Sequence, residues 1–246
     1  MITFTTPSYY WLNSWVMSNI VQLATQSFCK RFLNRTNDPC GRQYDQMTQS
    51  ARSGQANIAE GNSRHSTSRE TELKLLDVAR ASISELAGDY INWFLAQGIV
   101  PWSIHDSLYQ HIDRIDLDKA DYTDNVIHNS SLHILKQKAK FDEWINSDDP
   151  NIAANCILIL CMRLHSMLIR QMERLMEDFR QEGGFTEAMT AERLAARAQQ
   201  SQQKGAPSCP QCGKPMIKRM CKKGIHAGRE FWSCSGYPQC QGTRDV

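Results

Sequence analysis

The chain has 246 residues, 41% of them hydrophobic, and a formal net charge of only +2. That is enough apolar material for one large or two modest cores, which excludes a disordered chain. The balance of charge excludes any argument from overall charge to a polyanionic partner, so only its distribution can speak. The nine cysteines are odd in number and include one Cys-x-x-Cys pair, which favours metal binding in a reducing cytoplasm over a disulfide framework.

The N-terminus, MITFTTPSYYWLNSW, has no basic start followed by an uninterrupted apolar run, so no signal peptide is expected. Tyr9–Phe32 reads as a first helix, with Leu12, Trp15, Val16, Ile20, Leu23 and Phe32 near one face. Asn34–Gly41 is a turn cluster in which Asp38-Pro39 signals a helix start. The helix that follows, Arg42–Gly61, carries Met47, Ala51, Gly54 and Ile58 at steps of four, three and four. Its small residues let a partner helix approach closely, and Gly61 is expected to end it as a left-handed cap. Ser68 or Ser66 is expected to cap a third helix running to Gln97, with Leu76, Ile83, Leu86, Tyr90 and Phe94 on its apolar face and Leu73 and Ala79 filling the stripe. The short connection suits an antiparallel pair.

Gly98 and Pro101 end the third helix. Beyond them a short helix is predicted within Trp102–Ile115, and another within Tyr122–Asn146 anchored by Leu132, Leu135, Phe141 and Trp144. Ser147-Asp148-Asp149-Pro150 is a strong helix start, a carboxylate cap with proline just inside. The helix it opens, Asn151–Glu182, would be roughly 45 Å long, part core and part oligomer interface. Within it Ile152–Ile169 is the most membrane-like stretch, but Asn155, Arg163 and His165 mark it as a buried helix, and no membrane partner is expected. Gly183-Gly184 breaks this helix, Phe185–Gln202 resumes helical composition, and the polar run before Cys209 reads as a linker. The expected organisation is a helical unit over 9–182 with a connecting region at 98–150, a helical suffix over 183–202, a linker over 203–208 and a metal module over 209–243.

In the tail, Cys209, Cys212, Cys234 and Cys240 are the expected ligands, and Cys221 is left free. Two residues separate the first pair, so both thiolates can wrap one ion; the second pair has five, a looser turn shaped by Gly236 and Pro238. Four thiolates suit one tetrahedral, structural Zn2+ with no open coordination position. So small a module buries little core, and the metal is expected to supply most of its folding free energy, on the order of 10 kcal/mol. From Gly205 to Val246 there are seven Lys/Arg and two acids, formally +5; the zinc tetrathiolate lowers that to about +3. Lys218, Arg219, Lys222, Lys223 and Arg229 are candidate phosphate contacts, and Phe231, Trp232 and Tyr237 are candidates for stacking on bases. The competing expectation is that Phe231 and Trp232 form the module's small core.

Elsewhere the seven histidines show no His-Glu-x-x-His spacing, and neither a phosphate-binding glycine loop nor a nucleophile elbow occurs. The acidic run Asp113, Asp116, Asp118, Asp121 and Asp124 reads as a solvated face. Glu60 and Glu85 fall on apolar faces and would need a partner such as Arg52, Arg64 or Arg80.

Two resemblances sharpen this reading. Gln55-Ala56-Asn57-Ile58-Ala59-Glu60-Gly61, followed by Arg64, Ser68 and Glu70, and then Ala79-Arg80-Ala81-Ser82-Ile83-Ser84-Glu85-Leu86, resemble the two core motifs of the bacterial four-helix-bundle family that includes the ribosomal RNA intervening-sequence protein and the accessory protein of diversity-generating retroelements. Asn155–Arg197 resembles the suffix of a subset of that family. The resemblance implies an up-down bundle that forms a homo-oligomer, commonly a pentamer, and binds nucleic acid without catalysis. In it Arg42, Arg52, Arg64 and Arg69 are the candidate contacts. The tail, with Cys209-Pro210-x-Cys212-Gly213, Met216, Gly228-x-x-Phe231-Trp232-x-Cys234-Ser235 and Tyr237-Pro238-x-Cys240, resembles the zinc ribbons of bacterial type I DNA topoisomerases, which implies DNA binding, single strands above all. Together these predict an all-α four-helix bundle with extra helices, followed by a small β zinc ribbon. The expected function is that of a cytoplasmic, non-catalytic accessory protein binding DNA or RNA. Alternatives are a scaffold for a reverse transcriptase or other nucleic-acid enzyme, or an enzyme with a site formed between subunits.

Overall fold

A computed structural model describes residues 8–34, 36–65, 68–182, 190, 192–196, 206–221 and 228–246. The predicted suffix lies outside the described residues apart from 190 and 192–196, and so do linker residues 203–205. The chain divides into two compact units, Met1–Gly183 and Gly184–Val246.

The first unit is helical. A 3-10 turn at Ser8–Trp11 leads into α1 (Asn13–Phe32), α2 (Arg42–Ser63), α3 (Arg69–Ala96), α4 (Ser107–Asp113), α5 (Val126–Ala139), α6 (Asp142–Ile145) and α7 (Pro150–Glu182). The long helices pack in a cycle: α1 against α2, α2 against α3, α3 against α7, and α7 against α1. The shorter α4 and α6 lie on α7, and α5 lies on α1.

The core face of α2 is the predicted one: Met47, Ala51, Gly54 and Ile58 are buried. On α3, Leu76, Ile83, Leu86, Tyr90 and Phe94 are fully buried. The close approach is real: a Cβ at Gly54 would lie 2.6 Å from Ile83 Cδ1. Gly61 does not cap α2. It lies inside the helix, where a Cβ would come within 3.2 Å of Leu75 Cβ and 3.3 Å of the Glu72 carbonyl oxygen, and α2 ends in a right-handed conformation at Arg64. Its small size serves helix packing rather than backbone reversal. Asp38 does signal the start of α2, its carboxylate accepting from the amides of Gln43 (3.3 Å) and Tyr44 (2.9 Å). Ser68 caps α3 through the Thr71 amide at 3.2 Å. Asp149 does the same for α7 through Asn151 at 2.8 Å.

Other expectations need correction. On α1 Leu23 is exposed; Trp15, Val16 and Ile20 are buried as expected, and Met17, Val21, Ala24 and Phe28 join them in the core. Leu132 and Leu135 are 53% and 58% exposed; Ile134, Phe141 and Trp144 are the buried anchors of their region. Glu60 and Glu85 are exposed and need no buried partner. Among the described residues the buried carboxylate is Glu72, at 3% exposure, held by His65 Nδ1 at 2.7 Å.

Within the described residues, Pro150–Gln181 is long and apolar enough to cross a membrane, yet 61% of its apolar window is buried inside the helical unit. Its polar side chains hold down the connecting region. Asn155 accepts from the Trp102 amide at 2.7 Å. Arg163 donates to the carbonyls of Ile112 (2.9 Å) and Ile115 (2.7 Å). One member of the acidic run is also tied in: Asp118 exchanges hydrogen bonds with the buried Gln137 amide and pairs with Lys136 and Lys140.

The second unit holds a three-stranded antiparallel sheet, in order β1 (Met216–Met220), β2 (Glu230–Cys234) and β3 (Thr243–Asp245). Lys218 faces Trp232, which faces Arg244; Arg219 faces Phe231, which faces Asp245. Because side chains alternate along a strand, these two rows lie on opposite faces of the sheet.

Candidate metal centre and nucleic-acid surface

The four predicted ligands converge. The sulfurs of Cys209, Cys212, Cys234 and Cys240 all lie within 4.8 Å of one another, the sole such cluster of potential metal ligands among the described residues. The Cys-x-x-Cys turn is closed by the Gly213 amide, which donates to the Cys209 carbonyl at 2.9 Å, with Gly213 left-handed at φ 70°. That conformation is one glycine adopts without a steric penalty. The second pair is built at the end of β2, where the Gly236 amide donates to Cys234 Sγ at 3.3 Å. Any side chain at Gly242 would collide with Cys209 Sγ, so glycine there makes room for the sulfur cradle.

The electrostatics fit a dication. The Gln211 amide, pointing at Cys209, lowers that thiol to about 7. At Cys234 the Gly236 amide favours the thiolate, but burial and hydrogen bonding with the other three thiols outweigh it and push the group up to about 12. Four thiols gathered at one point cannot all ionise unaided; a bound cation supplies the missing charge. The donor set and its closure therefore fit one structural Zn2+. The module's own core is small: Cys209, Met216 and Cys234 are buried, with Trp232 and Cys240 packed against them.

The predicted nucleic-acid residues separate by face. Trp232 belongs to the core side of the sheet, where Lys218 Nζ lies 5.6 Å from its ring centroid and pairs with Glu230 at 3.2 Å. On the other face, Arg219 lies opposite Phe231 and holds its guanidinium 5.8 Å from the Tyr237 ring centroid. Tyr237 is 56% exposed. Arg229 is exposed at the entry to β2. Lys222 and Lys223 lie outside the described residues.

In the helical unit the candidate arginines do not gather. Arg42 begins α2 and Arg64 follows its end, a separation of about 33 Å along the helix. Arg42, Arg52 and Arg64 are exposed; Arg69 is partly buried and donates to the Asp178 carbonyl at 3.0 Å. Sequence reasoning missed the His65–Glu72 pair, because no spacing distinguishes Glu72 from the exposed carboxylates around it.

The metal centre and its sheet define a small four-cysteine zinc-ribbon module. Residues 206–246 match the family described as topoisomerase DNA-binding C4 zinc finger. Neither the curated proteins nor the solved structures compared with the chain match it. The ribbon is thus of a DNA-binding type.

Proposed function

We propose that this is a non-catalytic nucleic-acid-binding accessory protein whose ribbon contacts single-stranded DNA and whose helical unit joins copies together. The observation that carries the reading is the outer face of a DNA-binding-type ribbon, where Arg219, Phe231 and the exposed Tyr237 stand together. A cation beside two aromatic rings suits a strand with stacked bases and a charged backbone, and each stacked base is worth about 1–3 kcal/mol. Trp232 is assigned to the core instead, and Lys218 is partly neutralised by Glu230.

In this reading the cycle of α1, α2, α3 and α7 is an up-down four-helix bundle, as the motif resemblance implies. Support for assembly comes from α7, where Met162, Ile169 and Met176 recur every seven residues with 48%, 38% and 43% exposure. Such an apolar stripe suits contact with another copy. Several tethered ribbons on one assembly would raise avidity through effective concentration. Reduced thiols at the metal centre suit a cytoplasmic location.

The test is binding of zinc-loaded protein to fluorescent single-stranded DNA, duplex DNA and structured RNA across a salt series, with Tyr237→Ala and Arg219→Gln beside the wild type. Single strands should bind best, and both substitutions should weaken them while the zinc content stays at one per chain. Equal binding by wild type and both variants would sink the assignment of this face.

A further inference from the structure

The first turn of α1 and the middle of α7 frame a cavity of about 290 Å3, whose polar lining is Asn13, Ser14, Arg170, Gln171 and Arg174. Arg170 and Arg174 are four residues apart, so they stand one above the other on α7. Both are exposed, and among the described residues neither forms an ion pair or a hydrogen bond. The other arginines of α7 are engaged: Arg163 by the connecting region and Arg180 by Glu177 at 3.3 Å. The wall opposite the arginine pair is fixed, because the Ser14 hydroxyl donates to Gln171 Oε1 at 2.7 Å. That bond occupies the acceptor of Gln171 and leaves its amide N–H groups free to donate. The first turn of α1 adds no acidic side chain, and Leu12 at its N-cap supplies no side-chain acceptor for the first amides. Glu173, the nearest acid in sequence, is absent from the cavity lining. The cavity therefore presents donors and positive charge, with no carboxylate among the described residues of its lining to satisfy them.

We infer that this cavity binds a phosphate group, with the two guanidinium groups as its principal contacts. Planar guanidinium forks match phosphate oxygens and hold them bidentately. The source assigned is the backbone phosphate of a nucleic acid, which rests on the function proposed above and gives the helical unit a contact of its own. The arginine pair sits about 120° round α7 from the Met162–Ile169–Met176 stripe at about 100° per residue, so copies joined through that stripe leave the cavity open.

The test uses the full-length, zinc-loaded protein and the double variant R170Q/R174Q, with circular dichroism confirming an unchanged helix content. Inorganic phosphate is titrated by calorimetry, and a single-stranded oligonucleotide by fluorescence anisotropy across a salt series. The expected result is that the double variant loses the phosphate heat. Its slope of log affinity against log salt should also become shallower by about 0.7, the value for one phosphate contact on a single strand. If wild type and double variant are alike in both titrations while Tyr237→Ala loses the oligonucleotide, the inference is overturned and the ribbon reading stands. If the wild type binds no oligonucleotide but shows arginine-dependent phosphate binding, the nucleic-acid reading fails and the cavity stands as a site for a small phosphate ligand. If the wild type binds neither, both fall.

Discussion

The two units of this protein solve the same problem with different means. The helical unit buries a continuous apolar core, with Phe28, Ile83, Leu86, Tyr90, Phe94 and Leu164 all fully inaccessible. Among the described residues, the ribbon's apolar core is Cys209, Met216 and Cys234 alone, and two of those three are metal ligands. Each helix of the first unit is held by side chains spread along its length, so losing one contact leaves many. The ribbon is held at one point, and its three short strands depend on it. The difference teaches that a module too small for a core can be specified by four sulfurs, whereas a helical unit of this size is specified by a pattern distributed over its long helices.

Removing the metal should break the comparison most sharply. Chelation, or Cys212→Ser, should abolish the ribbon's sheet, a loss on the order of 10 kcal/mol of metal-linked folding free energy. The far-UV helical signal and its melting midpoint should be unchanged. A helical unit that melts together with the ribbon would refute their independence. Next in size is Leu86→Ala, which removes a fully buried side chain of α3. It should cost the helical unit about 2–5 kcal/mol in denaturant unfolding while leaving zinc stoichiometry intact. Gly61→Val should cost about 1–3 kcal/mol by the same measurement, because its new atoms meet Leu75 Cβ and the α3 backbone rather than a movable side-chain tip.

The smallest effect is a pH dependence confined to the helical unit. The hydrogen bond to buried Glu72 raises the His65 pKa above its ordinary value. A group whose folded pKa is raised stabilises the fold fully below its unfolded value, and loses that contribution as pH rises through the folded one. The helical unit should therefore be more stable at pH 6 than at pH 8.5, by less than about 1 kcal/mol because His65 is half-exposed. Unfolding of His65→Gln at the two pH values checks this, and an undiminished difference in that variant would assign the effect elsewhere.

Much of this architecture is legible in the residues alone. Steps of three and four identified the buried faces of α2 and α3 because helical periodicity is local, and a stripe on a long helix has one natural destination. Asp38 was legible as a helix start, Ser68 or Ser66 as the cap of α3 and Asp149 as the cap of α7, because such signals involve only a few consecutive residues. The four ligands were legible because metal chemistry restricts both residue type and spacing.

What the sequence determined by itself was therefore local: helix identities, two apolar faces, three helix-start signals and the metal ligands. Tertiary structure decided everything that depends on which surface meets which. Gly61 looks like a cap in sequence, but α3 passes so close that even a Cβ there would press its neighbours aside. Leu132 and Leu135 look like anchors, yet α5 turns Ile134 inward and leaves them in solvent. Glu72 rather than Glu60 or Glu85 is the buried acid, because only it lies where His65 reaches across the α2–α3 connection. Trp232 and Tyr237 are equally aromatic, but strand alternation and the turn after Cys234 put one against the metal core and the other outside. Arg170 and Arg174 carry no sequence signal at all; they share a cavity because α1 happens to begin beside them. Residue spacing encodes the geometry of one helix or strand, while contacts between elements depend on how far and at what angle those elements approach, which no local pattern specifies.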